Sequence, residues 1–157
     1  MVFLKWVYTV FIGLLLATTV GVGIQAFYSP PKQPQPTIQP YPVLEGTNSA
    51  KMVSYQNSNN QAWQDYQVKS ENYNKDVSVI ASVFAIFFLV LSVTIIQKII
   101  LISDGILLGG LITELYSVFK GFMSGDDKVR FLVVSVGLVL ALFLGYLKFV
   151  KGEKKRK

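Results

Sequence analysis

Apolar residues in this chain are gathered into four long blocks, and one large polar region separates the first from the second. The blocks run from Trp6 to Ile24, from Val77 to Ile102, from about Gly105 to Met123, and from about Val129 to Val150. Each matches the roughly 20 residues that a helix needs to cross a bilayer. The pattern predicts an all-α fold, a four-span transmembrane helix bundle. Residues 1–27 are expected to stay as the first span. Their apolar run is longer than the core of a cleaved signal peptide, and Ile24-Gln25-Ala26 is a poor cleavage site.

The second block continues a polar stretch without interruption. From Thr47 to Asp104 there is neither Gly nor Pro, the two residues that punctuate helices. Residues 59–102 therefore read as one helix, an external stalk continuous with the second span. Asn59 or Asn60 is placed to cap its start. Asp65 with Lys69 and Glu71 with Lys75 stand at the favourable acid-first spacing of four. A seam of Trp63, Tyr66, Ser70, Tyr73, Val77, Ile80, Phe84, Phe87 and Leu91 alternates steps of three and four, which predicts one continuous face. Trp63, Tyr66 and Tyr73 are the candidate partner contacts of the stalk.

The remaining boundaries come from breakers. All six prolines fall between Pro30 and Pro42, so residues 28–58 read as an external spacer, extended where proline-rich and polar afterwards. Ser103-Asp104-Gly105 predicts a turn, with Ser103 or Asp104 capping the next helix. The third span is then 103–123, ended by Ser124-Gly125. Asp126 and Asp127 start the fourth helix, where negative charge suits the dipole. Residues 124–150 hold this short external loop and the fourth span, and 151–157 form a basic tail.

Small residues at four-residue spacing mark faces where helix backbones approach closely in lipid. They are Gly13, Ala17 and Gly21 in the first span, Gly105, Gly109 and Thr113 in the third, and Gly137, Ala141 and Gly145 in the fourth. The second span has Ser78 with Ser82 and Ala81 with Ala85.

Charge and composition narrow the function. The chain has no Cys and no His, which removes thiol chemistry and the commonest metal ligand. No cofactor or metal is expected, and no phosphate loop or nucleophile motif occurs. The net charge of +6 is concentrated in the tail, at Lys151, Lys154, Lys155, Arg156 and Lys157. Beside a span, such a cluster points to anionic lipid headgroups rather than nucleic acid. It also places both termini in the cytoplasm of a plasma or inner membrane.

Glu114 and Lys98 are the candidate intramembrane ionisable residues, and they are expected to pair across the hairpin. An acid within a span is a functional candidate by default. The leading reading is a non-enzymatic membrane protein, a binding or scaffold component that engages another membrane or envelope component through the stalk, with a protein partner or a homo-oligomer expected. The alternatives are a small ion- or proton-coupled transporter or channel subunit using Glu114, and a tetraspan-like structural protein. Four spans with a large first external loop resemble claudin- and tetraspanin-type proteins in layout. Those carry loop cysteines that this chain lacks, so the resemblance implies no function here.

Overall fold

A computed structural model describes residues 2–35, 49–95 and 100–146. The described residues form four α-helices and no strand: α1 (Val2–Phe27), α2 (Ser49–Ile95), α3 (Ile100–Phe122) and α4 (Asp127–Gly145). All four are long and apolar enough to cross a membrane. Their outer surfaces carry exposed Phe11, Leu14, Phe84, Phe87, Leu115, Phe119, Phe131, Leu138 and Phe143. A belt of that size belongs against lipid.

α2 is a single helix of 47 residues, about 70 Å long at 1.5 Å per residue. It passes through Tyr73–Val79 without a break, so the stalk is continuous with the second span. It starts at Ser49, earlier than the expected Asn59, and takes the last ten residues of the predicted spacer. The absence of Gly and Pro already reached back that far. Polarity alone does not stop a helix, and Lys51, Met52 and Gln56 are good helix formers.

The predicted turn at Ser103-Asp104-Gly105 is overturned. α3 begins at Ile100, so these residues are helical, and Asp104 is no longer at a capping position. Gly105 serves packing instead. A Cβ there would lie 2.8 Å from Ile12 Cγ2 on α1. α2 ends at Ile95, and Gln97 and Lys98 lie outside the described residues.

α3 is the central helix and packs on each of the other three. It runs antiparallel to α2, in a register set by serines. Ser78 Oγ donates to Ser117 O at 2.8 Å, and Ser117 Oγ donates back to Ser78 O at 2.7 Å. Ser92 and Ser103 repeat the exchange at 2.9 Å in both directions. The two clasps are 14 residues apart on each helix, two repeats of seven. Ala85 and Gly110 stand midway between them. A seven-residue repeat of small side chains is the period of a left-handed helix pair.

α1 runs parallel to α3 and interlocks with it through glycine notches. Leu108 of α3 fits over Gly13 and Leu16 of α1 fits over Gly109, where added Cβ atoms would lie 3.0 and 2.7 Å from the facing leucines. Not every small residue is used in this way. Nothing lies within 4 Å of a Cβ built on Gly21 or Gly145, and Ala141 is exposed. On the described residues these three do not act as packing positions.

The aromatic seam of α2 also needs correction. Tyr73 and Val77 are buried, but Ile80, Phe84 and Phe87 are exposed. The buried face continues instead through Ala81, Ala85, Leu89 and Ser92. Lipid tails receive a phenyl ring as well as a protein core does, so large side chains gain little by facing a neighbouring helix. Small ones there allow close approach.

Among the described residues, no other helix flanks α2 on the N-terminal side of Glu71. Between Val53 and Ser70 no side chain is buried. This segment is the stalk.

Candidate functional site

Polar side chains with definite partners gather at the base of the stalk. Consecutive residues of α2 each hold a different part of the bundle. The Asn74 amide donates to Met123 O at 3.4 Å, and its Oδ1 accepts from Lys120 Nζ at 3.0 Å. These contacts fasten the end of α3. Lys75 Nζ pairs with Asp126 Oδ2 at 3.0 Å, at the start of α4. Asp76 Oδ2 accepts from the Tyr28 hydroxyl at 2.6 Å, just past the end of α1. One turn of α2 thereby collars the stalk-side ends of all three other helices.

Aromatic rings fill the centre of this collar. Tyr28 stacks on Tyr73 with centroids 5.3 Å apart. Lys120 Nζ lies 5.4 Å from the Tyr73 centroid and 6.0 Å from that of Tyr116, within reach of cation–π attraction. Lys120 sits in the last turn of α3, where positive charge suits the helix dipole.

The loop between α3 and α4 is shaped to accept the stalk. Gly125 has φ +69°, and a Cβ on it would lie 2.7 Å from the Glu71 carboxyl carbon. Both its conformation and the close approach call for glycine. Asp126 caps α4 by accepting from Lys128 N at 2.9 Å. The Lys75 ammonium, then that backbone N–H, hold the Asp126 carboxyl below the usual Asp range. The bond to Asp76 holds the Tyr28 phenol above its usual value.

The three expected stalk contacts separate into two groups. Trp63 is 43% exposed and meets Tyr66 edge-on at 6.0 Å. Both stand on the free part of the helix. Tyr73 is only 6% exposed, covered by Tyr28, and is a core residue of the collar rather than a partner contact.

Glu114 lies eight residues before Phe122, the end of α3, so about 12 Å below it along the helix. It is 5% exposed, and neither carboxylate oxygen has a hydrogen-bond partner among the described residues. Ser82 faces it from α2 without forming a hydrogen bond. Gly137 of α4 lies over it, where an added Cβ would be 3.5 Å from Oε1. The expected pairing partner, Lys98, lies outside the described residues. From the level of Ser82, α2 runs on to Ile95, about 20 Å of helix.

Lys151, Lys154, Lys155, Arg156 and Lys157 also lie outside the described residues. Among the described residues no cluster of acids could hold a metal ion.

Sequence reasoning missed the collar and the serine clasps. Asn74, Lys75, Asp76, Lys120 and Tyr28 are ordinary polar residues until three helices converge on them. The clasps did leave a signal. Ser78, Ala85 and Ser92 repeat every seven residues, as do Ser103, Gly110 and Ser117. A search restricted to four-residue spacing passes over both.

Compared with protein-family models, curated proteins and solved structures, the chain matches none.

Proposed function

We propose that this protein is a non-enzymatic component of a membrane assembly, and that it binds another membrane or envelope component through its stalk. The observation that carries this reading is the free length of α2. About six turns rise beyond the collar with no other described helix against them, and Val53, Tyr55, Trp63 and Val68 are exposed along them. Most helical stability in proteins comes from packing of one face rather than from propensity, so a bound partner would complete this unpacked length. The collar supports the same reading, because it fixes the stalk to every span. In this proposal the stalk is external, both termini are cytoplasmic, and the basic tail rests on anionic headgroups.

The test is photo-crosslinking in intact cells, with a photoreactive residue at Tyr55, Trp63 or Val139. Discrete adducts are expected from the two stalk positions and only lipid adducts from Val139 on the outer face of α4. Stalk positions that yield no protein adduct, in a chain that still inserts, would refute the proposal. Labelling single cysteines at Ser49 and Lys155 with an impermeant reagent tests orientation, and only position 49 should react from outside.

A further inference from the structure

We propose that Glu114 is a proton-exchange site that opens to the stalk side of the membrane only. The inference does not depend on what the stalk binds.

The site itself is a buried acid without a partner. Both Glu114 oxygens are enclosed and unbonded, with Ser82 and Gly137 facing them. A bare charge in such a place is costly, and a bound proton removes it. A metal cation is a poor occupant. Hard cations take six or more oxygen ligands, or keep several waters, and here one carboxylate and one hydroxyl converge. Among the described residues no charged group faces the acid. α2 has Lys75 and Asp76 only at the collar, and α4 has Arg130, which is paired with Asp127 at 2.9 Å. α1 carries no charged residue between Lys5 and its end. On α3 itself, Tyr116 and Lys120 lie toward the stalk, and Asp104 lies more than two turns away in the other direction.

The two directions away from Glu114 differ. Toward the stalk, polar groups recur on each turn. Ser78 and Ser117 come first, with hydroxyls 3.5 Å apart, followed by Asn74 with Lys120 at 3.0 Å, then buried Ser124. Steps of one turn, about 5.4 Å, suit a bridging water. Gly121 stands beside the Ser78 hydroxyl in a notch that Val133 of α4 closes, since a Cβ there would lie 2.7 Å from Val133 Cγ2 and 3.0 Å from Ser78 Oγ. Away from the stalk, the α2–α3 seam offers Ala85, Leu89, Gly110 and Ile106. Thr113, beside Glu114, turns its hydroxyl back to Gly109 O at 2.8 Å, and beyond it no polar side chain of the described seam appears until Ser92 and Ser103. In this proposal a proton reaches Glu114 from the stalk side, and the described seam offers it no polar side chain for the next step in the other direction. Hydronium from the stalk side gives H⁺ to a Glu114 oxygen and leaves water, and release reverses the same step.

The experiment is infrared difference spectroscopy on sealed proteoliposomes of uniform orientation, with the lumen buffered and the outer medium stepped in pH. With the stalk outward, raising the outer pH should convert a carboxylic C=O band to carboxylate bands. Occupancy should fall about tenfold per pH unit beyond the midpoint. The change should be lost in Glu114→Gln. If that variant fails to assemble, Glu114→Asp assigns the band by shifting it. With the stalk inward, the same steps should leave the band unchanged. Ser78→Ala with Ser117→Ala should slow the stalk-side response severalfold. A Glu114 band that responds equally in both orientations, responds in neither, or shifts with NaCl at constant pH would overturn the proposal.

Discussion

At the scale of single residues, the glycines show how context separates identical side chains. Gly109 sits against Leu16 and 3.2 Å from the Gly13 carbonyl as seen by a built Cβ, whereas Gly21 faces open space. Gly109→Ala should destabilise the α1–α3 pair by about 1–3 kcal/mol, the usual range for overpacking. Gly21→Ala should leave thermal unfolding in mild detergent unchanged. Equal effects from both would mean that the notch at Gly109 is not closed in the membrane. Glu114→Gln should match or exceed the unmodified protein in the same assay. It keeps the side chain's shape and removes an acid with no partner to lose.

Among the elements, α2 and α3 form the firmest pair, because their clasps satisfy serine hydroxyls and bond backbone carbonyls across the helices. A double-mutant cycle on Ser78 and Ser117 should give a coupling of about 0.6 kcal/mol, the scale found for hydrogen bonds between membrane helices. Coupling indistinguishable from zero would reduce the serines to spacers that only permit close approach. The continuity of α2 is open to a separate check. Asn74→Pro should cost about 3 kcal/mol as an interior helix break, and it also removes the amide that holds Met123 O. Spin labels at Trp63 and Val83 should then lose their fixed separation, while the same labels in the unmodified chain keep it.

For the molecule as a whole, the collar joins a stalk in water to a bundle in lipid. Its Lys75–Asp126 pair ties α2 to the start of α4, and its acid is held below the usual Asp range. A carboxyl shifted in that direction stabilises the fold above its unfolded value, about 3.9. The contribution is lost as pH falls through the lower folded value. Amide protection over residues 124–130, taken relative to the intrinsic exchange rate at each pH, should therefore hold at neutral pH and fall in strong acid. Asp126→Asn keeps a good capping side chain and should remove that acid step, at the cost of a weaker joint at all higher pH. An acid step of unchanged size in Asp126→Asn would assign it to another group.

How much of this was legible beforehand follows from what each feature depends on. Span number, the all-α fold and the continuity of the stalk rest on residue polarity and missing breakers, properties that act along the chain. They were readable from Trp6–Ile24, Val77–Ile102 and the Gly- and Pro-free stretch. Ser103-Asp104-Gly105 misled because a glycine that turns a chain and a glycine that admits Ile12 look alike in one dimension. The aromatic seam misled because lipid accepts Phe84 and Phe87, so hydrophobicity no longer marks the inside. Which face of α2 is buried, the pairing of Ser78 with Ser117, the collar around Tyr28 and Lys120, and the isolation of Glu114 were decided only by the tertiary structure. Each depends on distances between helices, and in a membrane those are set by small side chains and shape rather than by polarity.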